Sequence, residues 1–232
     1  MGFASRAVLR NPRNDVETGL FLALVHPYCR LVHRLRVRGK AHIPQSSAPG
    51  PLIVVANHTA GVDPVLIQAA CPFEIRWIMA EDMRVPQLQW LWDWGRIIFV
   101  DRSRGNEVRA TRTAIEHLKS GGVLGIFPEG HLERPPKQIR PFLRGLSLIV
   151  RKTKAPVLPF VIDGTPTGDP AWSSLWRASR STLTAQSPIN YADEDLAHLD
   201  PADDLRERFM HWTGWPANDR KPPAPGNASG EK

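Results

Sequence analysis

Five consecutive apolar residues, Leu52-Ile53-Val54-Val55-Ala56, run without a polar break into the turn Asn57-His58-Thr59-Ala60-Gly61-Val62-Asp63-Pro64. A strand with no polar face is buried on both sides, which calls for helices above and below it. The rest of the chain repeats the arrangement. Strands are predicted at Glu74 to Ala80, Arg96 to Val100, Val123 to Phe127 and Val157 to Ile162, the last with a Pro159 interruption. Helices are predicted at Pro64 to Ala70, Pro86 to Gly95, Glu107 to Ser120, Leu143 to Thr153 and Asp203 to Trp212. Such alternation specifies an α/β fold with a mostly parallel central sheet flanked by helices.

The chain has 232 residues, 42% of them hydrophobic, enough for one sizeable domain with a real core. It divides into a basic arm (1–18), an amphipathic N-terminal helix (19–40), the α/β domain (41–212) and a disordered tail (213–232) rich in Pro, Gly, Asn and Lys. In the second segment Leu20, Phe21, Leu24, Val25, Leu31, Val32 and Leu35 fall at helical spacing, interleaved with Arg30, His33, Arg34 and Arg36. The helix either packs on the domain or lies on an anionic membrane with its basic side chains at the headgroups, and the two are compatible. It is too short to span, and it contains His26 and Pro27. No small-residue cleavage site follows it, so a cleaved signal is not expected.

The formal net charge of +7 asks for an anionic partner. The basic residues are spread out and form no nucleic-acid motif, so no nucleic acid is expected. The two cysteines, Cys29 and Cys71, are far apart and suggest neither a disulfide framework nor a zinc site. His58, Asp63, Glu129 and His131 lack metal-ligand spacing, and no metal is expected. A serine hydrolase is set aside, because Gly145-Leu146-Ser147-Leu148-Ile149 lacks the last glycine of a nucleophile elbow. Trp77, Trp90, Trp92 and Trp94 cluster, fitting core packing, an interfacial belt or an acyl-chain wall.

Loops after strands are where α/β proteins place their chemistry. His58 stands at the carboxyl end of the first strand, and Asp63 follows five residues later. On a continuous helix the two would lie about 140° apart, but a turn entering a helix can fold them together. The carboxylate then accepts the proton of one imidazole nitrogen and leaves the other as a general base. By themselves, the residues are weak evidence for that pairing and fit better with Asp63 as a plain N-cap before proline and His58 as a satisfied turn histidine.

Order and context add a resemblance. Val37 to Pro44, then Asn57-His58 through Asp63, resembles the first block of the glycerolipid acyltransferases, the lysophosphatidic acid acyltransferase family with its N-H-x4-D motif. Gly95 to Arg102, Phe127-Pro128-Glu129-Gly130, Phe142 to Gly145 and Ala155 to Ile162 resemble the blocks that follow, in order, over about residues 35–165. The resemblance implies that residues 41–212 are an acyltransferase domain. His58 is then the base that deprotonates the acceptor hydroxyl, Asp63 orients it, and Arg102, Glu129 and Gly130 bind the acceptor. It implies acyl-CoA or acyl carrier protein as co-substrate, a lyso-lipid as acceptor and no cofactor. The place of work is the cytoplasmic face of an anionic membrane, held as a peripheral or monotopic protein.

The pattern departs from the family at two cations. Leu132 stands where an arginine usually touches the acceptor phosphate, with Arg134, Arg140 and Arg144 as candidate substitutes, and Glu81 stands near a usual lysine. These departures point to an acceptor other than lysophosphatidic acid, such as an amino-acid lipid or a glycolipid, or to a non-catalytic membrane-lipid-binding relative.

Overall fold

A computed structural model of the chain describes residues 12–84, 89–100, 107–168, 170–192 and 198–220. Its elements run α1 (Pro12–Leu31), β1 (Arg36–Arg38), β2 (Leu52–Ala56), α2 (Asp63–Ala70), β3 (Arg76–Ala80), α3 (Gln89–Trp94), β4 (Ile98–Val100), α4 (Glu107–Lys119), β5 (Val123–Ile126), α5 (Arg144–Thr153), β6 (Val157–Asp163), β7 (Thr182–Ala185) and α6 (Pro201–Thr213). The strands form one seven-stranded sheet in the order β1-β7-β6-β2-β5-β3-β4. Among the strand pairs of the described residues, β6–β7 alone is antiparallel. The expected α/β class with a mostly parallel sheet is the observed one.

Strand β2 lies at the centre, between β5 and β6, and all five of its residues are buried. Its side chains alternate between two cores, as the two-residue strand period requires. Ile53 and Val55 pack with Leu118, Leu146, Leu205 and Phe209 beneath α4, α5 and α6. Leu52, Val54 and Ala56 face Ile67, Phe73, Trp77 and Phe160 on the other side. Pro159 does not interrupt β6, which runs on to Asp163, and its carbonyl accepts the N–H of Gln186.

The N-terminal region differs from the expectation in extent and in character. Helix α1 stops at Leu31, because Arg34 turns the chain in a left-handed conformation (φ 44°) and Arg36–Arg38 leaves as strand β1. Arg-Val-Arg carries too little apolar pattern to announce a strand; its partner β7 supplies the hydrogen bonds. The helix is not a simple two-faced one. Val25 and Cys29 pack on Ala60, Val62 and Leu66, yet a second apolar stripe about 150° away (Leu20, Leu24, Pro27, Leu31) is exposed.

Two further differences lie downstream. The stretch after residue 169, irregular in sequence, holds a 3₁₀ turn (Ala171–Trp176) and β7, whose Leu183 and Ala185 alternate with threonines. The expected tail begins later than residue 213. Ile139 donates its N–H to the Pro216 carbonyl, and the Asn218 N–H returns to Ile139, which buries Asn218. Backbone groups bonded in this way cannot remain a free tail; residues 221–232 lie outside the described ones.

Candidate active site

The site begins with a latch. The Asn57 side chain donates to the Ile162 carbonyl at 3.0 Å and accepts the Ile162 N–H at 2.8 Å. An amide side chain thus continues the β2–β6 ladder one step past its last backbone pair, and the main chain is released into the turn. His58 is the next residue, at the carboxyl end of the central strand.

Asp63 is fully buried and occupies the first turn of α2, with Val62, not Asp63, at the cap position. Its Oδ2 accepts the Thr59 and Ala60 N–H groups at 2.7 and 2.8 Å, and the Thr59 hydroxyl donates to Oδ1 at 3.1 Å. The same Oδ2 lies 3.0 Å from His58 Nδ1. A carboxylate accepts, so Nδ1 carries the proton and Nε2 keeps its lone pair. The turn between them needs Gly61, because a Cβ there would meet the Ala171 carbonyl at 2.6 Å. The 3₁₀ turn that presses on it also holds the Val62 N–H through the Ser174 hydroxyl at 3.0 Å.

The imidazole has a fixed face as well as a fixed tautomer. His58 stacks on Phe127, with centroids 4.0 Å apart and planes 14° from parallel, and Phe127 stacks in turn on Trp77 at 4.8 Å. Phe127 directly follows β5 and begins the Phe127-Pro128-Glu129-Gly130 turn, so two distant sequence blocks meet ring to ring.

Glu129 is buried, and both of its oxygens are engaged: Oε1 accepts the His58 N–H and Oε2 the Arg140 N–H, each at 3.1 Å. Burial pushes its carboxyl up to about 7, against the downward pull of those two N–H groups and of the Arg140 charge. It supports the backbone of the histidine and is absent from the walls of the neighbouring cavity. Gly130 does reach the cavity wall, in a left-handed turn (φ 70°).

That cavity, about 670 Å³, opens beside His58. Its walls are largely apolar, among them Trp77, Trp92, Ile126, Phe127, Trp172 and Leu175. Trp77 and Trp92 are thus cavity walls as well as core; the side chains of Trp90 and Trp94 lie outside the described residues. Arg134, Arg140 and Arg144 also line it, as does Leu132.

The three arginines are not equivalent. Arg134 spends its guanidinium on main-chain carbonyls, Nη1 on Glu133 at 2.8 Å and Thr59 at 3.2 Å, Nη2 on Gly168 at 3.5 Å. Arg140 is buried and donates to the Arg220 carbonyl at 3.2 Å. Arg144 is exposed at the start of α5 and makes no ion pair among the described residues. Arg102 lies outside the described residues. Glu81, near the place of the usual lysine, pairs with Arg84 at 3.0 Å on the surface.

Sequence reasoning missed the latch at Asn57, the ring platform at Phe127 and the carboxyl of Glu133. The first two sit inside the blocks that carry the resemblance, Asn57 next to His58 and Phe127 two residues before Glu129.

The comparisons with known proteins bear on the family and the fold. The family model named Acyltransferase matches residues 34–163, more than half of the chain. The chain is 26% identical to the 1-acyl-sn-glycerol-3-phosphate acyltransferase of Bacillus subtilis over 169 residues, covering 71% of this chain and 77% of that protein. It is 28% identical to the N-acylphosphatidylethanolamine synthase of Arabidopsis thaliana, covering 65% of this chain and 57% of that one. It is 31% identical over 137 residues to the 1-acyl-sn-glycerol-3-phosphate acyltransferase of Borreliella burgdorferi, covering 57% of this chain and 52% of that protein. The chain therefore spans little more than half the length of the last two relatives. Its fold resembles that of the 1-acyl-sn-glycerophosphate (LPA) acyltransferase PlsC from Thermotoga maritima, with a TM-score of 0.64 at 24% identity, covering 90% of this chain and 82% of that one. The chain belongs to the acyltransferase family.

Proposed function

We propose that this acyltransferase moves a fatty acyl group from the thioester of acyl-CoA or acyl carrier protein to a hydroxyl of a lyso-lipid, in phospholipid biosynthesis, with His58 as general base. The observation that carries the reading is the 3.0 Å contact of His58 Nδ1 with buried Asp63, on a ring that also forms the wall of a largely apolar cavity. Nε2 takes the proton of the acceptor hydroxyl as its oxygen attacks the thioester carbon. The tetrahedral intermediate collapses to the new ester, the C–S bond breaks, and the imidazolium returns its proton to the departing thiolate. General-base help of this kind is worth about 10²–10⁴-fold. Walls of Trp, Phe, Leu and Ile suit acyl chains, and exposed Arg144 suits an anionic headgroup.

A specific observation favours an acceptor other than lysophosphatidic acid. Leu132 replaces the expected arginine, and Arg134, its nearest substitute, is spent on backbone carbonyls. An amino-acid lipid or a glycolipid acceptor fits the loss of the cation at that position, and the relative named N-acylphosphatidylethanolamine synthase widens the range to amines.

The enzyme works at an anionic membrane surface, on the cytoplasmic face. Leu20, Leu24, Pro27 and Leu31 are exposed, and Arg30, Arg34 and Arg36 at and after the end of the helix are exposed too, a combination of apolar and basic groups suited to the headgroup boundary. No helix among the described residues is long and apolar enough to cross a membrane. Turnover with a panel of lyso-lipids, each offered with acyl-CoA and with acyl carrier protein, tests the whole reading. The expected result is ester formation with one donor and one acceptor class preferred; no transfer from either donor to any acceptor defeats it.

A further inference from the structure

The His58 peptide is held from both sides by the loop that follows β5. Its N–H goes to the Glu129 carboxyl, and its carbonyl accepts the Glu133 N–H at 2.7 Å. Arg134, the next residue, binds the Thr59 carbonyl. The loop therefore grips residues 58 and 59 on three bonds, and its own shape sets where the imidazole stands. What shapes the loop is the Glu133 side chain. Its Oε1 accepts the Lys137 N–H at 2.9 Å and so closes the turn from 133 to 137, with Lys137 in the left-handed region (φ 61°). The Lys137 ammonium anchors the far end of that turn to Asp163, 3.6 Å away at the end of β6.

The second Glu133 oxygen is out of place for an ionised group. Glu133 is 2% exposed, and its Oε2 has no hydrogen-bond partner. A buried carboxylate with an unpartnered oxygen is costly, whereas the neutral acid tolerates the site. The charged groups facing it are Glu129 and Asp63, which oppose its ionisation, and Arg134, which favours it.

We propose that Glu133 is a positioning residue for His58: as a neutral carboxylic acid it pins the loop that clamps the histidine peptide, and loss of its proton loosens that clamp. This rests on His58 being the base, as proposed above. Glu133 touches neither the cavity nor the imidazole ring, so it acts through the backbone alone. Burial and the two neighbouring acids push its carboxyl up to about 8, so the neutral form prevails at neutral pH.

The test is the pH dependence of kcat in the full-length protein and in Glu133→Gln, which keeps the acceptor for the Lys137 N–H but cannot ionise. The wild type is expected to lose about tenfold in kcat between about pH 7 and about pH 9, as a group titrating near 8 requires, with KM little changed. Glu133→Gln is expected to stay flat over the same range. Coincident alkaline limbs overturn the proposal. The imidazole NMR signal of His58 decides the matter without turnover. A second inflection near pH 8 in the wild type, absent from Glu133→Gln, supports the proposal; its presence in both, or in neither, overturns it. A protein that shows the inflection but transfers no acyl group would fail the reading of function while keeping the clamp.

Discussion

His58 Nδ1 and Asp63 Oδ2 lie 3.0 Å apart, and that one carboxylate oxygen also accepts the N–H groups of Thr59 and Ala60. The bonds that shape the turn and the bond that sets the tautomer share an acceptor, so folding the turn prepares the base. Asp63→Asn is nearly isosteric and can still accept the backbone donors, but its amide offers the ring a donor or a weaker acceptor. Turnover is expected to fall about 10²–10⁴-fold with the far-ultraviolet circular dichroism unchanged. Activity within a few-fold of wild type would separate Asp63 from the chemistry.

Asn57 is predicted to matter for stability more than for the chemical step. Asn57→Ala leaves the Ile162 N–H and C=O without their partners at a fully buried position. The expected loss is about 1–3 kcal/mol, read as a lower urea midpoint at unchanged m-value.

Stability should fall as the pH rises from about 6.5 to about 8. Folded Glu129 and Glu133 hold their protons up to about 7 and about 8, whereas in the unfolded chain both ionise near the ordinary 4.5. The folded state then binds more protons, and the stability slope with pH is negative until both have ionised. Buried His33 and His117 are held below their ordinary 6.5, chiefly by desolvation, and act in the opposite sense, but their effect is confined to lower pH. Urea midpoints measured across the window should decline in the wild type and decline less in Glu133→Gln.

The exposed stripe of α1 gives a separate prediction. Leu20 and Leu24 are 65% and 69% exposed, so replacing both with serine costs the fold little. If the stripe meets lipid, the double variant should sediment less with vesicles containing phosphatidylserine, at matched salt. Equal sedimentation would place the membrane contact elsewhere.

Much of this was legible in the sequence because the signals were strong and local. An all-apolar β2 can only be a central strand, and Asn57 through Asp63 placed a histidine at its carboxyl end. The rest was illegible for physical reasons. Strand β1 is three residues of Arg-Val-Arg, held by its pairing with β7 and not by its own pattern. The exposed leucine stripe of α1 could not be told from a buried one, because helical spacing fixes which residues share a face and not what covers it. Residues Gly214 to Arg220 look like a tail until Ile139 binds them from 75 or so positions away in sequence. At the site, Glu129 has the composition of a ligand-binding residue but spends its oxygens on the backbone. Glu133 carries no local signal in the sequence, since its burial is tertiary.

The central claim is that His58 is the base for acyl transfer, and the most direct measurement is the single-turnover rate of ester formation by wild type and His58→Ala, both shown to be folded, with a labelled acyl thioester and the preferred lyso-lipid. The ring is partly buried against Phe127, so His58→Gln is the check on packing. Both substitutions are predicted to lower the rate by at least about 10²-fold at unchanged acceptor binding. Transfer at the wild-type rate in either folded variant would contradict the account.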